Sequence, residues 1–253
     1  MTFHPEPYSP GQAWNLPRGG QEVSFLNQQQ LRLHGWFINS QSQPASATVI
    51  YFHGNAGNIS NVGWVGESLA ARGFDVLLVD YRGYGRSEGE ITDERDIYAD
   101  AEAAYNYVVD QRRISPERVI LYGHSLGTTA VVDLASRRKC RAIILESGLS
   151  SASDMATIRL PWVPAWLHAL GKNRFESARK LARVYCPVLV THGEPDNIVP
   201  TEQGRALFSA AREPKRLMIF PGADHSVSGY GGEKYFSEIA KFIQDSLEGR
   251  SVI

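Results

Sequence analysis

The chain has 253 residues, 43% of them hydrophobic and 21% charged, which is enough apolar material for a substantial core and excludes a disordered chain. Lys and Arg total 26 against 27 Asp and Glu, a formal net charge of -1, without the concentrated positive charge that a nucleic-acid binder carries. The only cysteines, Cys140 and Cys186, are too few for a zinc site or a disulfide framework and read as two buried free thiols in a reducing compartment.

The opening MTFHPEPYSPGQAW has neither the basic start nor the apolar stretch of a signal peptide, and no uninterrupted apolar run is long enough to span a bilayer. The expectation is a soluble, cytoplasmic protein without a transmembrane segment, with a membrane anchor upstream of residue 1 left open.

Residues 23–27 and 31–39 flank a Gln-rich polar turn and read as a hairpin. Short runs at 48–52, 76–80, 119–122, 142–145, 188–191 and 217–220 follow, nearly all apolar and rich in Val, Ile and Leu, as strands covered on both faces of a parallel sheet are. Between them lie helical patterns. Thr92 or Asp93 caps a segment carrying Ile97, Ala101, Ala104, Tyr105 and Val108. Another follows Ser125 through Ala130, Val131 and Leu134, and its end places Arg137, Arg138 and Lys139 as a solvated terminus rather than a phosphate site. Further helices begin near Thr201 and near Gly231, the last carrying Tyr235, Phe236, Ile239, Phe242 and Ile243 on one side. The alternation predicts a single α/β domain over 1–253, with a mostly parallel eight-stranded sheet, an N-terminal antiparallel hairpin and helices on both faces. The segment 149–178, with Pro161, Pro164, Trp162, Trp166 and Leu167, breaks the rhythm and reads as a short lid, or as a helix pair packed on the core without a role in binding.

The strongest chemical signal is Gly123-His124-Ser125-Leu126-Gly127, directly after one strand and before a helix. A sharp strand-to-helix turn exposes a serine hydroxyl at the carboxyl edge of the sheet, with glycines where the backbone passes closely. The helix N-terminus then aims the amide of Leu126 at a developing oxyanion. A serine needs a base. Of the downstream histidines, His168 falls in the lid-like segment and His192 reads as a turn residue at a strand end. His225, between the last strand and the last helix, returns to the serine's edge. Asp196 follows the preceding strand and is the carboxylate expected to orient His225, ahead of Glu146, Glu194, Asp224 and Asp80. The turn His53-Gly54-Asn55-Ala56-Gly57 can face the amide of Asn55 inward as a second oxyanion donor, or can be a plain glycine turn. Gly83-Tyr84-Gly85 and Gly89 imitate a dinucleotide loop, but the third glycine comes late and no helix starts within it, so they read as a loop bordering the site.

Together HGNA at 53–56, DYRGYG at 80–85, GHSLGT at 123–128, HGEPD at 192–196 and GADH at 222–225 resemble the α/β-hydrolase serine hydrolases across nearly the whole chain. DERDIYAD at 93–100, ILYG at 120–123 and VDLASR at 132–137 resemble the branch that holds the eukaryotic protein depalmitoylases, although the cysteine-rich N-terminal segment of those enzymes is missing. The resemblance implies Ser125, Asp196 and His225 as a triad, with Asn55 and Leu126 as oxyanion donors. The expected reaction is hydrolysis of a carboxylic ester or thioester through an acyl-enzyme, on a small-molecule or acylated substrate held by Trp162, Trp166 and Leu167, without metal or organic cofactor. A peptidase or amidase on the same fold and a non-catalytic binding module are the competing readings. Nothing in the sequence sets the oligomeric state.

Overall fold

The computed structural model describes residues 3–159, 162 and 172–251. Eight strands form one sheet: β1 (Gly20–Leu26), β2 (Arg32–Ile38), β3 (Ala47–Phe52), β4 (Phe74–Val79), β5 (Val119–His124), β6 (Ala142–Glu146), β7 (Val188–Glu194) and β8 (Lys215–Pro221). Their spatial order is β1-β2-β4-β3-β5-β6-β7-β8. The opening hairpin is antiparallel, as expected, and β2 also meets β4 antiparallel; every other pair is parallel.

The helices are α1 (Gly63–Ala70), α2 (Glu94–Asn106), α3 (Gly127–Ala135), α4 (Ala152–Arg159), α5 (Ser177–Leu181), α6 (Thr201–Ala210) and α7 (Val227–Glu248), with shorter turns of helix between. Asp93 caps α2 by accepting from the Arg95 amide at 2.9 Å, and Asp96 returns the bond to the Asp93 amide at 3.2 Å. Within α7 the chain kinks at Gly232, whose φ 49° and ψ -134° are not helical, so a short first helix from Val227 meets a long one that begins beside Gly231, as expected.

Because side chains alternate across a strand, each central strand feeds two cores. Val119 and Leu121 of β5 join Ile97, Ala101, Val131, Leu134 and Leu207 under α2, α3 and α6. Ile120 and Tyr122 join Leu69, Phe236, Ile239 and Phe242 under α1 and α7. Burying each such aliphatic side chain stabilises the fold by roughly 1.5–3 kcal/mol. With both faces covered, the remaining open ground is the sheet's two ends.

The strand order turns back at β3, with β4 on one side and β5 on the other. The carboxyl ends of β3 and β5 therefore diverge into loops on opposite sides of a crevice, where open α/β sheets bind ligands. Register places Phe52, the last residue of β3, opposite Gly123. No helix among the described residues is long and apolar enough to cross a membrane.

Candidate active site

At the carboxyl end of β5 the chain turns sharply into α3, and Ser125 takes φ 52°. A non-glycine residue in the left-handed region is strained and persists only where its surroundings fix it. The Ser125 amide donates to the Glu146 carbonyl at 2.8 Å, and its own carbonyl accepts from the Thr128 amide at 3.0 Å and the Thr128 hydroxyl at 2.6 Å. The flanking glycines have a steric cause. A Cβ on Gly123 would lie 2.5 Å from the Gly127 carbonyl, and one on Gly127 only 2.0 Å from the Phe52 oxygen. Leu126 precedes α3, and its amide has no acceptor among the described residues, whereas the amides of Thr128 and Thr129 bond back to Ser125 and Leu126. That amide therefore stands at a helix N-terminus with its hydrogen unengaged.

His225, in the turn between β8 and α7, donates from Nδ1 to Oδ2 of Asp196 at 2.8 Å. A carboxylate only accepts, so Nδ1 carries the proton of this bond and Nε2 is the ring nitrogen left unbound by the acid. Asp196 itself is pinned, since its Oδ1 accepts from the amides of Ile198 and Val199, each at 2.8 Å. Its carboxylate is fully buried, while the His225 side chain is 14% exposed. Burial works against the Asp196 charge, but hydrogen bonds from His192 and His225, the His225 charge and the Val199 amide outweigh it and hold the carboxyl below its ordinary range. His225 reaches the elbow through the residue beside the serine. The His124 Nε2 donates to the His225 carbonyl at 3.1 Å, and the two rings lie 5.0 Å apart. The loop ahead of His225 closes on β7, where a Cβ on Gly193 would lie 2.0 Å from the Asp224 oxygen.

The turn after β3 borders the same serine. A Cβ on Gly54 would meet the Ser125 Cβ at 3.5 Å and the His124 ring at 3.2 Å. Asn55 is tied from outside: Tyr84 donates its hydroxyl to the Asn55 carbonyl at 3.0 Å, and the His4 amide reaches Asn55 Oδ1 at 3.2 Å. Tyr84 belongs to the glycine loop that imitates a nucleotide site. There Gly85, at φ 50°, passes so close to Asp80 that a Cβ would overlap Oδ2 at 1.9 Å, and Asp80 accepts from the Ile59 amide at 2.9 Å. The loop is a brace for the Asn55 turn.

Two features escaped sequence reasoning. His192, read as a turn residue, is fully buried and places Nε2 3.3 Å from Asp196 Oδ2 while donating to the Val199 carbonyl at 2.8 Å. Glu146, weighed only as a rival acid, lies beneath the elbow and accepts from the Tyr122 hydroxyl at 2.5 Å and the Ser228 amide at 2.7 Å. Tyr122 in turn meets Tyr235 at 2.8 Å, and Tyr235 meets Thr191 at 3.0 Å. Burial, and after it the Glu146 charge, pushes the phenols of Tyr122 and Tyr235 well above their ordinary value. Of the residues expected to hold substrate, Trp162 is 74% exposed, whereas Trp166 and Leu167 lie outside the described residues, as does His168. Among the described residues, no group of three or more His, Cys, Asp or Glu could hold a metal ion.

A family profile described as "Serine aminopeptidase, S33" matches residues 43–179, more than half of the chain. The chain belongs to this α/β-hydrolase family of serine hydrolases. Among its relatives, the Mycobacterium tuberculosis uncharacterized protein Rv2307c is 36% identical over 207 residues, covering 82% of this chain and 73% of that protein. The human alpha/beta hydrolase domain-containing protein 17B is 33% identical over 208 residues, covering 81% of this chain and 69% of that protein. It places this hydrolase with the branch that its motifs at 93–100 and 132–137 resemble. In fold, the hydrolase is similar to the Pyrococcus furiosus esterase Pf2001, with a TM-score of 0.78 at 18% identity over 97% of this chain and 98% of the esterase.

Proposed function

We propose that this serine hydrolase cleaves carboxylic esters or thioesters through an acyl-enzyme, with Ser125 as nucleophile, His225 as general base and Asp196 as the carboxylate that orients it. The observation that carries the reading is the 2.8 Å bond from His225 Nδ1 to the buried Asp196, on a loop whose His225 carbonyl accepts from His124, the neighbour of the strained Ser125. His225 takes the Ser125 proton as the hydroxyl oxygen attacks the carbonyl carbon, and returns it to the departing alcohol or thiol. Water then repeats the sequence on the acyl-enzyme and releases the acid. The amides of Leu126 and Asn55 receive the oxyanion; losing one such donor typically costs ~10²–10³ in turnover.

The substrate side of the reading is an acyl group with apolar character. Ile158 on α4, Trp162 beyond it and Ile198 beside Asp196 all expose apolar side chains in the connections that follow β6 and β7. In this reading 149–178 acts as a lid over one catalytic domain spanning 1–253, Trp166 and Leu167 join Trp162 in holding the acyl chain, and the enzyme works in the cytoplasm.

Amide hydrolysis is the second reading, favoured by the aminopeptidase description of the matching family. A screen over oxygen esters, thioesters and aminoacyl anilides of graded acyl length, with Ser125→Ala as control, separates the two. Turnover of esters and thioesters that the control abolishes supports the proposal. Turnover of anilides alone supports the amidase, and a flat profile equal to the control overturns both.

A further inference from the structure

The sheet's amino-terminal end, opposite Ser125, holds a second chemically distinctive place. Cys140 and Cys186 precede β6 and β7, two adjacent parallel strands whose register sets Ile143 beside Val188. The Ile143 amide donates to the Pro187 carbonyl at 2.9 Å, fixing the two approaches side by side. Both cysteines are half-buried residues, and their sulfurs lie 3.5 Å apart.

Both cysteines line a cavity of about 600 Å³. Lys139, Arg141 and Arg183 line it too, and among the described residues none of the three has a carboxylate within 4.0 Å, although other lining arginines are already paired. The Arg141 guanidinium donates to the Ser246 carbonyl, and its Nε is buried without a partner. Among the described residues, Glu117 is the one acidic residue in that lining. Two thiols in contact, in the lining of a positively charged cavity, do not serve the chemistry at Ser125.

We propose that Cys140 and Cys186 form a thiol–disulfide exchange site whose cavity admits an anionic low-mass disulfide of the glutathione class. The Cys186 thiolate attacks one sulfur of the incoming disulfide. That S–S bond breaks, and one thiolate leaves and takes up a proton. Cys140 then loses its proton and attacks the Cys186 sulfur of the mixed disulfide, expelling the second thiolate, which is protonated in turn. Two protein thiols are oxidised to one disulfide, the reagent is reduced to two thiols, and the two protons end on the leaving groups. The hydrogen bond with Cys186, and then burial, push the Cys140 thiol well up, so the first attack is assigned to Cys186 and the second to Cys140. The new bond ties together the two ends of 140–186, which contains α4, α5 and the whole β6–β7 connection.

The test is incubation of the full native chain with glutathione disulfide, an alkylating quench, intact mass and a peptide map. The expected product has lost two hydrogens, carries no adduct and joins the Cys140 and Cys186 peptides; its Tm rises by about 5–10 °C. Cys140→Ser is expected to trap one glutathionyl adduct on Cys186. The cavity's charge is read from rates. Glutathione disulfide should react about tenfold faster than neutral hydroxyethyl disulfide at low salt, and Lys139→Glu with Arg183→Glu should remove that advantage. Native thiols that stay alkylable throughout, or stable adducts on both cysteines without a crosslink, overturn the exchange site. Equal rates for the anionic and neutral reagents overturn the role given to the cavity. None of these readouts involves Ser125.

Discussion

His192 brings Nε2 to 3.3 Å from the same Asp196 oxygen that accepts from His225. Nδ1 of that ring has no partner, and Gly204 stands so close that a Cβ there would lie 2.5 Å from it. A neutral imidazole protonated on Nε2 fits these neighbours, bridging the Val199 carbonyl and the acid. Removing a hydrogen bond to a buried charge costs ~1.5–3 kcal/mol. His192→Ala should therefore lower kcat by roughly tenfold to a hundredfold with little change in KM, and His192→Gln, which keeps a donor at similar reach, should restore most of it. Ester kinetics with both variants check this; equal activity in the two, or a change in KM alone, contradicts a positioning role.

The elbow glycines make a steric prediction. Gly127→Ala must push a Cβ into the Phe52 carbonyl at the end of β3, so backbone has to move between the serine and the Asn55 turn. Activity should fall below detection, with a large loss of stability or of folded protein. Gly249→Ala is the control. That residue caps α7 at φ 69° with open space around it, so the cost is conformational, about 1 kcal/mol, and activity should stay at the wild-type level. Urea unfolding and ester turnover measured on both variants decide it.

Stability should begin to fall below about pH 6.5, before carboxylates protonate. Burial lowers the pKa of both His34 and His124, against the raising effect of nearby carboxylates. As pH drops, the unfolded chain takes up these protons first, so native stability declines from about 6.5 until the lowered folded values are reached. Asp196 acts lower down. Its folded pKa is depressed, so its contribution is present above about pH 4 and is lost as pH falls through the folded value. Denaturant midpoints between pH 8 and pH 5 test the histidine part, which His124→Gln should flatten; a midpoint independent of pH over that range contradicts it.

Glu146 anchors a buried relay. With the carboxylate accepting at one end, the Tyr122 hydroxyl donates to it, Tyr235 donates to Tyr122 and Thr191 donates to Tyr235. Glu146→Gln either sets an amide hydrogen against the Ser228 amide or, turned the other way, donates to Tyr122, reverses the hydroxyl chain and leaves its second amide hydrogen unmet. It should destabilise by ~1–3 kcal/mol, the cost of a buried unsatisfied group, read as a lower urea midpoint at unchanged slope. A midpoint equal to wild type contradicts the relay.

Most of the sheet was legible because buried parallel strands must be short, apolar and β-branched, as the six runs from 48 to 220 are, while the opening pair was legible from its polar turn. Gly123 and Gly127 were legible for a local reason: both close approaches lie within the turn or against the strand beside it. His192 was not, because its value depends on Asp196 and Val199 folding back over it, and a histidine at a strand end looks the same without them. The Glu146 relay joins β5, β6, β7 and α7, and no pattern within any one of them announces it. The cysteines were countable but not measurable, since 46 residues separate them and only the register of β6 with β7 brings the sulfurs together. Glycine was a sound guide at α7, where Gly232 leaves helical geometry and the long last helix begins beside it; the short helix from Val227 ahead of it carried no such signal.

Labelling by a fluorophosphonate, which reacts only with an activated serine, tests the central claim most directly. One label per chain is expected, mapped to Ser125, abolished in Ser125→Ala and strongly slowed in His225→Ala and Asp196→Asn. A folded wild-type protein that takes no label, or takes it at a serine other than Ser125, contradicts the proposed chemistry.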